Sequence, residues 1–207
     1  MTMRKSVSHI IASVGVLAIL GGCQSTEIVD TSNGDYVTAG LSSSDFNSAA
    51  GKALDDIIAS PLLAHPQAAQ GGRYVMAVST IVNDTAQRID TDQLTKKIRV
   101  GLLQSGKFLT TTAIGLNGAE DEMSARVREL ADSKMVNQST VKKNGTVIAP
   151  DFSLSGKIIQ RTNRLDRSNQ LVDYYFQLTL TDLESGLAYW EGEYPVSKKV
   201  SNASVTW

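Results

Sequence analysis

The stretch Arg73-Tyr-Val-Met-Ala-Val-Ser-Thr-Ile-Val82 decides the fold, because its alternate positions are apolar in both registers. Val75, Ala77 and Ile81 fall on one side, and Met76, Val78 and Val82 on the other. A strand apolar on both faces predicts a place in the interior of a sheet, covered on both sides. Beyond it, Asp90 or Thr91 offers a helix cap, and Leu94, Ile98, Gly101 and Leu102 form a stripe at helical spacing. Gly106 stands where a left-handed residue ends a helix. Lys107 to Ile114 then reads as a second strand. Strand, helix and strand in that order predict a parallel pair joined by a crossover.

Towards the N-terminus, Ser42 to Ser44 offer caps for a helix that places Phe46, Ala49, Ala50, Ala53, Leu54, Ile57 and Ile58 on one stripe and stops before Pro61. Towards the C-terminus, a third helix is expected near Ala119 to Ala131, presenting Met123, Val127 and Leu130, while Asn137 to Pro150 has no clear period. Asp151 to Thr162, Leu171 to Asp182 and Leu187 to Ser197 are extended runs separated by turn-forming residues, as in an antiparallel meander. In the middle run Val172, Tyr174, Phe176, Leu178 and Leu180 alternate with polar or amphipathic residues, so one face is buried and the other wet. The expectation is a small α/β domain over residues 41–207: a parallel crossover pair plus a C-terminal antiparallel meander in one mixed sheet, packed with three to four helices.

The chain has 207 residues, 42% hydrophobic and 20% charged, which suits one globular domain. Its 20 basic and 21 acidic residues leave a net charge of -1, which argues against a nucleic-acid partner. Two histidines and one cysteine exclude a Cys/His zinc site and any disulfide within the chain.

The N-terminus reads as an address. Arg4 and Lys5 precede an uninterrupted apolar and small-residue run from Ile10 to Leu20, shorter than the roughly 20 apolar residues a membrane span needs. Leu20-Gly-Gly-Cys23 follows, and it resembles the lipobox of bacterial lipoproteins. The resemblance implies cleavage after residue 22 and acylation of Cys23, including a palmitate-type chain, with several acyl chains giving stable anchoring. Gln24 rather than Asp follows the cysteine, which is similar to lipoproteins sent to the outer membrane. Residues 23–40 are polar and without apolar periodicity, and are expected to form a lipidated tether of about 60 Å at full extension.

Residues able to do chemistry are few. His65 lies in the loop Leu62-Leu-Ala-His-Pro66 with no nucleophile or acid marked out to work with it, and no phosphate-binding glycine loop is present. Glu191 and Glu193 share one side of the last strand at a spacing of about 7 Å, which a glycosidase could use, but the alternation with Trp190 and Tyr194 favours a solvated face. No catalytic residue, metal site or cofactor is therefore expected. Basic residues do cluster: Lys157, Arg161, Arg164 and Arg167 run along the first strand of the meander and over its hairpin tip. Tyr175 and Tyr189 are expected on the polar faces of the neighbouring strands. Arginine and tyrosine are enriched in interface hot spots, so these six residues form the candidate partner-binding surface, suited to an acidic patch on another protein.

Several segments, taken in order, resemble the LpoB family of penicillin-binding-protein activators: Tyr74 to Thr85, Ile89 to Ile98, Ser105-Gly-Lys-Phe108, Pro150 to Ile158, and Leu180 to Gly192 with its Glu184-Ser-Gly-Leu-Ala-Tyr-Trp190 core. The resemblance implies a non-catalytic outer-membrane lipoprotein facing the periplasm, monomeric, which binds a bifunctional class A penicillin-binding protein and stimulates peptidoglycan synthesis. It also implies that Asn83 and Thr85 shape a strand-to-helix loop, Gly106 a helix stop, and Gly156, Trp190 and Gly192 the sheet packing. One departure stands out: enteric members carry a long proline-rich linker, whereas this chain has no proline before Pro61. A structural or assembly role in an envelope secretion or appendage complex stays open as the alternative.

Overall fold

The computed structural model describes residues 38–116 and 120–203; the leader, Cys23 and the tether as far as residue 37 lie outside them. Helix α1 (Ser43–Ala59) starts at a reciprocal cap: the Ser42 hydroxyl accepts from the Asp45 N–H, and the Ser42 N–H donates to the Asp45 carboxylate at 2.7 Å. Its apolar stripe, Phe46, Ala49, Ala50, Ala53 and Ile57, is buried. Helix α2 (Thr91–Gln104) is capped by Asp90 and buries Leu94, Ile98 and Leu102. Gly106 then adopts φ +70°, the left-handed conformation that lets the chain turn away from the helix end.

The two helices run side by side in the same direction. Ahead of both, the Gln87 side chain accepts from Leu41 N–H at 2.8 Å and donates to Leu41 C=O at 3.2 Å, acting as a surrogate backbone strand. At their far ends Lys107 Nζ donates to Ile58 C=O at 2.9 Å. Between these points Gly101 leaves room for Leu54, whose methyl group fills the place a β-carbon would take.

Five strands form one sheet in the order β2-β1-β3-β4-β5. They are β1 (Tyr74–Asp84), β2 (Phe108–Thr110), β3 (Phe152–Arg164), β4 (Asn169–Asp182) and β5 (Ala188–Ser201). β1 is parallel to both β2 and β3, while β3, β4 and β5 make the antiparallel meander. Helices α1 and α2 cover one face, where Met76, Ile81, Leu154, Ile158, Val172, Tyr174, Phe176, Leu178 and Leu180 join their stripes in a single core. Gly156 is required by close approach: a β-carbon there would lie 2.5 Å from the Gln177 carbonyl of β4. No helix among the described residues is long and apolar enough to cross a membrane.

β1 corrects the first expectation. Its pairing with β3 slips between Val78 and Ile81, so Met76 and Ile81 both enter the core although they differ in parity. The bulge turns Val82 to the other face, where it is 49% exposed. The strand is thus interior to the sheet but is not covered on both sides along its length. β2 is three residues rather than eight. The third helix, α3 (Met123–Glu129), followed by one 3-10 turn at Leu130–Asp132, is shorter than expected and buries nothing, with Met123 and Leu130 exposed.

A polar node closes the end of the domain where the described residues begin. Lys198 is 7% exposed, and its Nζ donates to Asp45 Oδ2 at 2.6 Å, Gly40 C=O at 2.6 Å and Thr38 C=O at 3.1 Å. The end of the expected tether, residues 38–40, is therefore held against β5 and the first turn of α1. At the other end of α1, the Tyr194 hydroxyl donates to Asp56 at 2.7 Å; burial, followed by this bond to a carboxylate, pushes its pKa well above the usual phenol value.

Candidate functional site

The face of the sheet opposite α1 and α2 carries Lys157, Arg161 and Tyr175, three of the six side chains singled out for partner binding. Strand parity and register place Lys157, Ile159 and Arg161 of β3 in one row beside Gln177, Tyr175 and Asp173 of β4, with Glu193, Pro195 and Ser197 of β5 next. β1 adds Val82 and Asp84, opposite Lys157 and Ile159. Lys157 is not a free cation: its Nζ pairs with Asp84 at 2.6 Å. Arg161 lies over the Tyr175 ring, 5.7 Å from its centroid, which holds a cation and an aromatic face together at the surface. Asp173, 8% exposed, accepts from Ser197 Oγ at 2.6 Å beneath this row.

The hairpin tip is a defined turn. Asp166 accepts from the N–H groups of Ser168 and Asn169, both at 2.7 Å, and from the Asn169 amide. Its carboxyl is held below the ordinary range, first by the Asn169 side chain and then by the Ser168 N–H. The chain end braces the tip, with Asn202 Nδ2 donating to Arg167 C=O at 3.0 Å. Arg164 Nε donates to Asp166 C=O at 3.1 Å. Arg164 has the parity of Ile158, so it leaves β3 on the side away from Arg161; the four basic residues run from mid-strand at Lys157 to the tip at Arg167 and do not share one face.

Tyr189 is the clear correction. The β4–β5 register shifts between Leu180 and Thr181, opposite Trp190 and Ala188, and Tyr189 is the extra residue. Its ring packs on Phe152, centroids 5.3 Å apart, and Phe152 in turn meets Tyr74 at 4.9 Å in the core. Tyr189, 40% exposed, therefore joins an aromatic cluster at the edge of the core rather than the row of Tyr175. What the sequence reading missed is the contribution of Val82, Asp84 and Ile159 to that face. The bulge in β1 hid the first two, and nothing in the spacing of residues 73–82 marks a bulge.

The other candidates behave as structural residues. Glu191 and Glu193 do share a side, and accept from Thr179 Oγ1 at 3.2 Å and Gln177 Nε2 at 2.7 Å, cross-strand bonds of an ordinary polar sheet face. His65 Nδ1 accepts from Gln67 N–H at 3.0 Å, and its ring packs edge-on against Tyr74. Asn83 and Thr85 do shape the loop after β1: Asn83 Nδ2 donates to Gln87 C=O, and Asn83 Oδ1 accepts from Thr85. That loop presents Gln87, the residue that clamps Leu41. Gly192 leaves space between Trp190 and Tyr194, whose side chains would crowd a β-carbon. Among the described residues no three His, Cys, Asp or Glu side chains converge as a metal site would need.

This face presents a cation–aromatic pair, and a braced turn carrying Arg164 and Arg167 lies at its end. Compared with known families, residues 45–196, from the first turn of α1 into β5, match the family model described as peptidoglycan-synthase activator LpoB. The chain belongs to the LpoB family. Its structure is also similar to solved LpoB structures. The C-terminal domain of LpoB from Escherichia coli aligns with TM-score 0.44 at 14% identity, covering 74% of this chain and 99% of that one. The corresponding domain from Salmonella enterica gives TM-score 0.42 at 14% identity over 73% and 98%. The NMR structure of E. coli LpoB gives 0.43 at 13% identity over 96% and 88%. No curated protein sequence matches the chain. Membership places the chain in a family of peptidoglycan-synthase activators.

Proposed function

We propose that this LpoB-family chain is a lipoprotein, anchored to the periplasmic face of the outer membrane through acylated Cys23, that binds a bifunctional class A penicillin-binding protein and stimulates its peptidoglycan synthesis. It acts as a monomer, by binding and without catalysis of its own. The observation that carries this reading is the family match over residues 45–196. The lipobox-like Leu20-Gly-Gly-Cys23 supports the anchor. The contact surface is the Arg161–Tyr175 pair with Lys157 beside it and Arg164 and Arg167 at the tip, and it suits an acidic patch on the synthase.

The test is the glycan-polymerisation rate of each class A penicillin-binding protein of the same organism, with and without a soluble, unacylated form beginning near Asp35. Stimulation is the expected outcome, and Arg161→Glu should weaken it while leaving the fold intact. Neither stimulation nor binding with any of these synthases would overturn the reading, and co-purification with an envelope assembly machine would then assign the chain a structural role there.

A further inference from the structure

On the side of the molecule away from the Arg161–Tyr175 face, α1 and α2 are separated along their outer surface by a groove of about 350 Å³. Ala50, Gly51 and Leu54 line one wall, and Val100 and Gly101 the other. The two glycines have opposite reasons to be there. A β-carbon on Gly101 would collide with Leu54, so Gly101 serves the packing of the helix pair. A β-carbon on Gly51 would meet nothing within 4 Å.

Glycine is among the least favourable residues in a helix interior, and no contact in the domain demands it at position 51. What its missing side chain does is keep the groove open. Apolar surface continues beside the groove, since Val100 and Leu103 are 40% and 45% exposed on successive turns of α2. The charged lining is of one sign: Lys96 and Lys97 border the groove, whereas Asp55 and Asp56 of α1 are outside it.

We propose that this groove is a second docking site, which seats an apolar segment of a protein partner flanked by acidic side chains. The apolar side chains would fill the space over Gly51, and carboxylates would pair with Lys96 and Lys97, the pattern of an amphipathic helix laid in a hydrophobic groove. Because the groove and the Arg161–Tyr175 face lie on opposite sides of the sheet, the two can be occupied together. The domain then bridges two proteins, and this holds whether or not the second one is a synthase.

Two leucine-faced amphipathic peptides, identical except that one carries glutamate and the other lysine on the polar face, provide the probe. Each is titrated into the mature chain bearing Cys23→Ser, with binding followed through backbone amide resonances. The glutamate peptide should shift the amides of Gly51, Val100 and Gly101 and bind about ten-fold more tightly than its lysine twin. Gly51→Leu should weaken that binding about ten-fold without lowering the melting temperature. Gly51→Ala, which fills less of the groove, should weaken it less, and Lys96→Glu with Lys97→Glu should reverse the preference. Shifts absent from the groove, equal binding of the two peptides, or binding indifferent to both Gly51 variants would overturn the proposal.

Discussion

The meander β3–β5 and the excursion between β2 and β3, residues 111–150, carry large apolar side chains in comparable variety, and they use them differently. In the meander Phe152, Leu154, Ile158, Val172, Tyr174, Phe176, Leu178 and Leu180 are all buried. In the excursion Ile114, Leu116, Met123, Leu130, Met135, Val147 and Ile148 are all exposed. The difference lies in what holds the backbone. Strands of 13 and 14 residues satisfy their own N–H and C=O groups in the ladder and turn every second side chain to one face. A seven-residue helix such as α3 is too short to be stable alone and has no buried face to recruit a partner.

The largest test of this contrast is a pair of truncations. Phe176 is 2% exposed and meets Phe46 of α1 edge-on at 5.5 Å. Phe176→Ala should lower the unfolding free energy by about 3–5 kcal/mol in urea denaturation, combining lost burial with a cavity between the sheet and α1. Met123→Ala and Met135→Ala in the excursion should each stay within about 0.5 kcal/mol. Equal losses in the two regions would mean that the excursion is packed against something in solution and the contrast fails.

The same contrast explains what could be read from the sequence. The elements with long, regular periods, α1, α2 and the three meander strands, stand where their patterns place them, because burial of one whole face fixes period and register together. The excursion defeats the reading because Met123, Val127 and Leu130 have helical spacing but no surface to pack on. Single-residue slips defeat it in another way. The bulge before Ile81 exposes Val82, and the extra residue at Tyr189 moves that ring to the core edge, yet neither alters composition or period over a ten-residue window. For the candidate face this means that Lys157, Arg161 and Tyr175 were legible from parity, while Val82, Asp84 and the Lys157–Asp84 pair were not. Lys198 was within reach: it shares the parity of Tyr194, Val196 and Val200, so its place in the strand alone points it inward.

Lys198 also gives the second test, since each region holds an ion pair. The Lys198–Asp45 pair is largely buried, whereas Arg126 and Glu129 of α3 are paired with both side chains exposed. Lys198→Met should lower stability by about 2–3 kcal/mol, because it removes the only cation beside the half-buried Asp45 carboxylate among the described ion pairs, and one donor from each of the Thr38 and Gly40 carbonyls. Arg126→Met should change it by no more than about 0.5 kcal/mol. The Lys198 variant should also release residues 38–41, visible as lost protection of the Leu41 amide in hydrogen exchange. If that amide stays protected, Gln87 alone holds residues 38–41 in place.

The smallest effect separates the regions by acid. Asp182 shapes the β4–β5 turn by accepting from the Ser185 N–H and hydroxyl, each at 2.7 Å, and Asn137 in the excursion makes the same kind of turn by accepting from the Ser139 N–H and hydroxyl. Only the aspartate titrates. The Ser185 N–H, and after it the Ser185 hydroxyl, hold the Asp182 carboxyl below the usual carboxylate range, as Asn169 and Ser168 do for Asp166. A carboxyl whose folded pKa is depressed contributes stability that is fully present above its unfolded value, about 3.9, and is lost as pH falls through the lower folded value. Below about pH 4 the Ser185 and Ser168 amides should therefore lose protection while the Ser139 amide keeps its own. Asp182→Asn should flatten the acid response at Ser185 and leave that at Ser168 unchanged. Equal loss at all three amides would show that acid opens the domain as a whole, and the turn carboxylates would then have no separate part in its acid limb.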